Sequence, residues 1–394
     1  MNAFDVALSD VRPFRVAIDP AVVENVRSRV RAAALPDAIG DGWEHGADVA
    51  YVRAFRDHWV ERYDWSSAQA RLNAHAQFIA RVDSLDVHFY WERATREAAP
   101  AILLTHGWPG SVVEFVHAID RLAHPERFGG DAADGFDVIV PSLPGFGFSS
   151  KPHAPVGPRH TARVWRQLMT GILGYRRFFA QGGDLGSMVT AYLGGEHSDV
   201  VAAIHLNFVP VRDIPVGEMT AEERSWSEAA NAYRSAELDY FRLLMHKPQT
   251  LSFALCDSPL GCAAWMLEKF HSWSDCGGDL DAAFTKDDLI TNVMLYVATR
   301  RADSALWFYR GFLLEGGGHT HPVDAVDVPT AVAVFPRDML NGRPPRSWIE
   351  RDYRLSRWTE MPRGGHFACL EQPELFVDDV RAFFREREQL GGRT

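Results

Sequence analysis

Phe178-Phe179-Ala180-Gln181-Gly182-Gly183-Asp184-Leu185-Gly186-Ser187-Met188 predicts a short apolar strand, a turn of small residues and the start of a helix. The Gly-x-Asp-x-Gly spacing centred on Asp184 is that of a nucleophile elbow, a sharp strand-to-helix turn that exposes one side chain above a sheet. A carboxylate is ionised at neutral pH and can attack carbon directly, without a base to activate it. Taken alone, the stretch is better explained by Asp184 as a helix cap. Three further segments change that balance.

Apolar runs recur along the chain, and segments with helical periodicity separate most of them. The runs predicted to form strands lie at 87–91, 100–105, 136–140, 202–206 and 329–335. Strands that alternate with helices indicate an α/β protein with a doubly wound, mostly parallel sheet. The active site of such a sheet lies at the carboxyl ends of its strands, where the conspicuous turns of this sequence also fall.

The segments outside this alternation are helical, and they divide the chain. We predict an N-terminal helical extension at 1–85, a first part of the α/β core at 86–210, a helical lid at 211–318 and a second part of the core at 319–394. Within the extension, helices are expected after Asp19, at 52–63 and at 72–79, and the lid is expected to begin with one helix at 221–244. The extension is too long for a simple connection and must pack on the rest of the protein.

The composition excludes several classes of function. Of the 394 residues, 46% are apolar and 24% are charged, which is typical of a globular protein with a sizeable core. The net charge of −11 opposes binding to phosphate backbones, so nucleic acid is not an expected partner. The chain starts without a cationic leader or a long apolar run, and its four cysteines form no C-x-x-C pair. We therefore expect a soluble, cytoplasmic protein without a membrane anchor.

His319-Thr320-His321 places two histidines at alternate positions beside a run of glycines. Alternate histidines could ligate a metal ion, but a pattern of further ligands is lacking nearby. We interpret this segment as a surface loop, and we expect neither a metal site nor a cofactor.

Two polar residues complete a constellation with Asp184. Asp338 follows the strand end at Phe335 by three residues, and His366 follows two glycines. The chain order of nucleophile, acid and histidine is that of the triads in α/β-hydrolase folds, with Asp in place of Ser. In this interpretation Asp184 attacks carbon to form an ester, His366 activates water to hydrolyse it, and Asp338 orients the imidazole. Asp324 and Asp327 are rival acids that precede the strand and are less well placed.

His106-Gly107-Trp108-Pro109-Gly110-Ser111 ends another predicted strand. It could be a plain turn between a strand and a helix, but its position before the elbow favours a functional interpretation. The backbone N–H groups of Trp108 and Leu185 could then point into one pocket and hold the oxyanion formed during ester hydrolysis.

These segments together resemble the α/β-hydrolase-fold epoxide hydrolases, specifically their microsomal and juvenile-hormone branch. The resemblance rests on 106–111, 182–187, 335–338 and 364–367, and extends to the N-terminal extension and to 257–270 of the lid. It covers nearly the whole chain. No single motif is decisive, but their combination is highly specific.

The resemblance implies further site residues. Tyr240 and Tyr309 match the two lid tyrosines that hydrogen-bond the epoxide oxygen and protonate it as the ring opens. From the residues alone, each would be read as an ordinary packing aromatic, and Tyr233 is the nearest competitor of Tyr240. The residues expected to contact substrate are Trp108, Pro109, Phe146 and Trp307.

The chain departs from the family at two positions. Leu185 stands where the family usually has Trp, which keeps the backbone donor but changes one wall of the pocket. Asp338 stands where close relatives often have Glu, so the link to His366 is one methylene shorter.

The sequence therefore predicts a cofactor-independent epoxide hydrolase that produces a vicinal diol. The alternatives are a haloalkane dehalogenase, against which Leu185 argues, and a non-catalytic binding protein, against which the intact triad argues. The expected partners are a small-molecule epoxide and water, and a homodimer is allowed for. The aromatic content suggests a bulky or aromatic epoxide. Some bacterial members of the branch act in natural-product biosynthesis, including that of enediyne antibiotics, and the resemblance leaves such a role open for this chain.

Overall fold

The apolar runs of the sequence form the strands of one sheet. The computed structural model describes residues 11–317, 325–338 and 343–391. Within these residues the strands are β1 (Val11–Phe14), β2 (Gln77–Val82), β3 (Leu85–Glu92), β4 (Ala101–Thr105), β5 (Asp137–Pro141), β6 (Phe178–Gly182), β7 (Val201–Leu206), β8 (Val326–Val334) and β9 (Tyr353–Glu360). Their order is β1-β2-β3-β5-β4-β6-β7-β8-β9, parallel from β5 to β9 and antiparallel from β1 to β5.

Helices cover both faces of the sheet. They are α1 (Pro20–Ala32), α2 (Val49–Glu61), α3 (Trp65–Leu72), α4 (Val116–Ala123), α5 (Pro158–Arg166), α6 (Asp184–Glu196), α7 (Ala221–Glu237), α8 (Asp239–His246), α9 (Pro248–Asp257), α10 (Pro259–Trp273), α11 (Leu280–Ala283), α12 (Lys286–Val297), α13 (Ser304–Leu314), α14 (Arg346–Ile349), α15 (Ala368–Glu371) and α16 (Pro373–Gly391). Asp19 caps α1 by accepting a hydrogen bond from the N–H of Ala21, as its sequence predicts.

Strand β4 shows why the central runs are continuously apolar. Successive side chains of a strand point to opposite faces, and here Ala101 and Leu103 join one buried cluster while Ile102 and Leu104 join the other. A strand that is buried on both faces has no polar side to display. The expected mostly parallel α/β sheet is confirmed.

The N-terminal extension is not wholly helical. Helix α3 ends at Leu72, and residues 77–82, part of which was expected to be helical, form β2. The predicted helix at 72–79 is therefore wrong. Strand β2 pairs with β3 across a two-residue turn, with Val82 opposite Leu85, and this pairing satisfies the backbone groups that a helix would otherwise satisfy. The extension thus adds β1 and β2 to the edge of the sheet.

The insertion between β7 and β8 contains α7 to α13, and we call these seven helices, with their connections, the lid. The prediction of a single helix at 221–244 is wrong in detail, because the helical conformation is interrupted at Leu238, between α7 and α8. Within the described parts of the chain no single helix is long and apolar enough to cross a membrane; only α9 and α10 taken together pass that test, with a bend of 117° between them. His319, His321 and Asp324 lie outside the described residues.

Candidate active site

Asp184 sits at a strained turn on the carboxyl edge of the sheet. Strand β6 ends at Gly182 and α6 begins at Asp184, whose φ of 47° lies in the left-handed region that non-glycine residues rarely adopt. Helix α6 approaches β4 so closely that a Cβ on Gly186 would lie 2.0 Å from the carbonyl oxygen of Thr105. This close approach requires glycine at 186, and it leaves the carboxylate of Asp184 projecting beyond the strand ends.

The turn after β4 meets this carboxylate. The backbone N–H of Trp108 donates a hydrogen bond of 2.7 Å to Oδ1 of Asp184. A Cβ on Gly107 would lie only 2.3 Å from the same oxygen, so only glycine leaves room for the carboxylate. The N–H of Leu185 belongs to the first turn of α6, where backbone donors have no partner within the helix. Both predicted oxyanion donors therefore border Asp184.

His366 lies between the two aspartates of the predicted triad. Its Nε2 is 3.2 Å from Oδ2 of Asp184, and its Nδ1 is 3.1 Å from Oδ1 of Asp338. His366 and Asp338 are 4% and 6% exposed, so water weakens neither contact strongly. The rival Asp327 is exposed on β8. Residues separated by 182 positions in the sequence thus form one hydrogen-bonded line.

The charges of this line determine the protonation of His366. Burial disfavours the imidazolium, but the carboxylates of Asp338 and Asp184 outweigh burial and raise the pKa of His366 to about 10. At neutral pH the histidine is therefore protonated while Asp184 carries its charge. Neutralising Asp184 removes one of the two carboxylates and lowers the pKa of His366 toward the range of a base.

Two lid tyrosines face the nucleophile. Tyr240 stacks on Trp108 with ring centroids 5.5 Å apart, and Tyr309 meets Trp108 edge-on at 6.0 Å. Burial raises the pKa of Tyr240 and of Tyr309 well above that of a free phenol, and the negative charge of Asp184 raises both further. The hydroxyl of Tyr309 is buried close to that of Tyr240 but without a well-aligned hydrogen-bond partner, so it can donate to a group placed beside it. Both tyrosines are therefore protonated donors near Asp184.

The remaining residues that the sequence suggested for the site, Tyr233, Phe146 and Trp307, differ in burial and orientation. Tyr233, the competitor of Tyr240, is only half-buried. Burial raises its pKa most, and the carboxylates that raise it further include Asp338 but not Asp184. Phe146 is fully buried against His106 behind the turn after β4. Trp307 precedes Tyr309 by two residues on α13, so the two side chains leave the helix on nearly opposite sides. Substrate contact by Phe146 and Trp307 stays a prediction.

The lid fixes the turn that carries Trp108. The side-chain amide of Asn292 on α12 donates to the carbonyl oxygen of Pro109 at 2.7 Å, and its own oxygen accepts from Oγ of Ser111 at 2.7 Å. Tyr296, one turn further along α12, donates to the carbonyl oxygen of Gly110. The peptide bond between Trp108 and Pro109 is cis. The position of the Trp108 N–H therefore depends on α12 as well as on the sheet.

Sequence reasoning missed Glu114. Burial and, after it, the negative charge of Asp184 raise the pKa of its carboxyl to about 8, although His366 and the N–H groups of Gly107 and Ser111 favour the ionised form. Together with Asp184 and His366, Glu114 lines a cavity of about 10 Å³, which is about the space one water molecule needs. The spacing Ser111-x-x-Glu114 is that of a capping box and could have indicated that this side chain turns back toward the loop.

Glu114→Gln is expected to stabilise the protein, increasingly as the pH rises from about 5 to about 8. An acid with a pKa raised by folding binds a proton that the unfolded chain has already released in this range, so folding stability falls as pH rises. The neutral amide removes this dependence and keeps an oxygen that can accept hydrogen bonds. Thermal unfolding at both pH values measures the difference, with Glu374→Gln at an exposed carboxylate as the control. A difference that does not change with pH would contradict the raised pKa.

Known proteins resemble this chain along almost all of its length. Residues 11–115 match the family model described as the epoxide hydrolase N terminus, and residues 100–241 match that of the alpha/beta hydrolase fold. A protein of Stigmatella aurantiaca is 39% identical over 381 residues, which cover 95% of this chain and 85% of that protein. Epoxide hydrolase 1 of Sus scrofa is 32% identical, and the match covers 96% of this chain and 89% of the pig protein.

Solved structures agree with these sequences. The juvenile hormone epoxide hydrolase of the silkworm Bombyx mori superimposes with a TM-score of 0.85 at 26% identity, covering 97% of this chain and 95% of its own. The epoxide hydrolase of Aspergillus niger superimposes with a TM-score of 0.83 at 29% identity, covering 98% of this chain and 100% of its own. The likeness therefore includes the N-terminal extension and the lid as well as the core.

Proposed function

The chain belongs to the epoxide hydrolase family of the α/β-hydrolase fold, and we propose that it converts an epoxide to a vicinal diol through an ester on Asp184. One observation carries the proposal. The carboxylate of Asp184 contacts the N–H of Trp108 through one oxygen and His366 through the other, beneath two buried tyrosines. A candidate nucleophile, two proton donors and a base are thus grouped around the carboxylate of Asp184.

In the first half-reaction, Asp184 attacks a ring carbon of the epoxide. The C–O bond of the strained ring breaks, and the epoxide oxygen takes a proton from Tyr240 or Tyr309. The product is a hydroxyalkyl ester, and the ring oxygen is retained as its hydroxyl. The phenolate that forms regains a proton from His366 through solvent, because the imidazolium no longer has an ionised Asp184 beside it. His366 is then neutral.

In the second half-reaction, His366 acts as a general base. It takes a proton from water, and the hydroxide attacks the ester carbonyl of Asp184. The N–H groups of Trp108 and Leu185 hold the resulting oxyanion. As it collapses, the C–O bond to the alkyl group's oxygen breaks and the proton of the added hydroxyl passes to the departing alkoxide, which releases the diol and the free carboxylate. His366 ends as the imidazolium with which the cycle began. The cavity beside Asp184, His366 and Glu114 is the place we assign to the attacking water.

The aromatic surroundings favour a bulky or aryl epoxide. The ring of Tyr240 stacks on Trp108 and meets Tyr309 edge-on. Trp273 packs against Tyr240 and Phe241 against Tyr309, so these rings form a continuous aromatic surface. Flat apolar walls gain more from covering an aryl group than from covering a short alkyl chain. Equal turnover of styrene oxide and a short aliphatic epoxide would contradict this part of the proposal. A role in natural-product biosynthesis stays a prediction.

Isotope labelling tests the route. With enzyme in excess over styrene oxide in water enriched in oxygen-18, the first turnover should place the label in the peptide that contains Asp184 and leave the diol unlabelled. The reason is that hydroxide attacks the carbonyl carbon of the ester, so its oxygen stays on the carboxylate. Mass spectrometry of the digested protein and of the diol measures both. Label in the diol alone would indicate direct attack of water on the epoxide, and absence of diol would contradict the function itself.

Gly107→Ala is expected to lower kcat/KM about 100-fold while the protein stays folded, because the new methyl group displaces the carboxylate of Asp184 from its place. Gly217→Ala is the matched control, since a Cβ there meets nothing within 4 Å. Kinetics and circular dichroism of both variants check the prediction. Activity of Gly107→Ala close to that of the control would show that the tight fit around Asp184 is not needed.

A further inference from the structure

We propose that Glu371, which lies outside the triad, is a positioning residue that holds His366 where it can activate water, and that Asp275 of the lid assists it. The proposal rests on the proposed function, because it assigns these residues to the second half-reaction. Neither carboxylate touches the reacting atoms. Both act on the backbone of the loop that carries the histidine.

Four consecutive N–H groups of this loop have partners outside it. The N–H of Gly365 and the N–H of Phe367, on either side of the histidine, donate to the two carboxylate oxygens of Glu371 at 2.9 Å each. The N–H of Gly364 donates to Oδ2 of Asp275 at 2.9 Å. The N–H of His366 itself donates to the carbonyl oxygen of Trp273, also at 2.9 Å. Every backbone donor from 364 to 367 is thereby fixed.

The same carboxylate joins the loop to the lid. Glu371 accepts a third hydrogen bond, of 2.8 Å, from the N–H of Asp275, just beyond the end of α10. The ring of Trp273, the last residue of α10, meets the imidazole of His366 edge-on at 5.1 Å. Glu371 therefore stands at the junction of the histidine loop and the lid, and its removal would release both.

The loop needs this support because of its own sequence. Gly364, with a φ of 103°, and Gly365 precede His366, and glycines restrict the backbone less than any other residue. A Cβ on Gly365 would lie 2.6 Å from the carbonyl oxygen of Trp273, so bulkier residues cannot replace the glycine and stiffen the loop. External hydrogen bonds must supply the rigidity instead. The Nε2 of His366 is 3.2 Å from Asp184, and a shift of about 1 Å would break that contact.

Burial makes ionisation of Glu371 unfavourable, and the backbone N–H groups around it offset part of this effect. Burial raises the pKa of its carboxyl to about 7, although the three N–H groups favour the ionised form. A buried carboxylate that accepts hydrogen bonds from three backbone N–H groups stabilises the one arrangement of the loop in which all three can reach it. Its role differs from that of Asp338, which contacts the imidazole directly.

A positioning role and a merely structural one predict different kinetics. Alkylation of Asp184 uses the carboxylate and the tyrosines, whereas hydrolysis of the ester requires the imidazole in place. In Glu371→Gln the amide nitrogen cannot accept a hydrogen bond, so the loop loses part of its anchoring. We expect ester hydrolysis to slow at least about tenfold and alkylation to stay within about twofold of the parent protein. The ester should accumulate during steady-state turnover.

Rapid-quench single turnovers with styrene oxide, followed by intact-protein mass spectrometry, measure both rate constants. Glu374→Gln, the same change at an exposed position three residues further on, is the matched control and should alter neither. Asp275→Asn is the second variant and should reproduce the pattern with a smaller effect, which keeps the test valid if Glu371→Gln does not fold. Circular dichroism reports folding of each.

Two outcomes would overturn the proposal: equal loss of both half-reactions in the folded variants, or hydrolysis that is unaffected. Failure of the proposed function looks different. In that case neither the parent protein nor His366→Gln forms any ester, whereas failure of the positioning role alone leaves a normal ester that hydrolyses at the normal rate.

Discussion

His366→Gln should trap the ester on Asp184, so that incubation with styrene oxide raises the mass of the protein by one intact epoxide. The nucleophile and both tyrosines remain, and the glutamine side chain cannot take a proton from water. The rate of diol formation should fall by about 10²–10⁴, the usual contribution of a general base. Intact-protein mass spectrometry and a diol assay measure the two effects together.

Asp184→Ala provides the control for this trapping experiment, because it lacks the carboxylate and should gain no mass. An adduct on this variant would mean that another side chain is alkylated. Diol formation by His366→Gln at the parent rate would contradict the assignment of the base, and the 3.2 Å contact between His366 and Asp184 would then need another explanation.

Tyr240→Phe and Tyr309→Phe should each slow ring opening by about 100-fold or more, and the double variant should lose nearly all activity. Each change removes one hydroxyl that can protonate the leaving oxygen, and general acids contribute about 10²–10⁴ in rate. Because the phenyl ring remains, stacking on Trp108 is kept. Single-turnover kinetics should show slower alkylation and unchanged hydrolysis of the ester.

Tyr233→Phe is the matched control for this pair, since Tyr233 is the nearest competitor of Tyr240 in the sequence and is only half-buried. It should react at close to the parent rate. A larger loss in Tyr233→Phe than in Tyr240→Phe would transfer the role of proton donor from α8 to α7.

The sequence predicts well those site residues that follow the carboxyl ends of parallel strands. Asp184 and the turn at 106–111 both follow buried strands, and the carboxyl ends of such strands meet at one edge. Spacing and chain order are therefore enough to select Asp184, His366 and Asp338, and in the structure His366 contacts both aspartates. The family and the α/β fold are confirmed.

What the sequence could not predict depends on distant partners. The segment 77–82 has apolar residues that suit either a helix or a strand, and pairing with β3 decides between them. The raised pKa of Glu114 depends on its burial and on the charge of Asp184, which lies far from it in the sequence. The three bonds of Glu371 join residues up to 96 positions apart, which no local pattern encodes.

The anchoring of the two site loops bears on how this protein can diversify. Asn292 and Tyr296 hold the turn of Trp108, and Trp273 and Asp275 hold the loop of His366, and all four belong to the insertion and not to the sheet. The insertion is therefore no interchangeable module that merely shapes the substrate pocket. A chimaera that borrowed this region from a relative would inherit working chemistry only if these four anchors came with it. New substrate specificities should accordingly arise by substitution of lid residues between these four anchors, while the anchors themselves are kept.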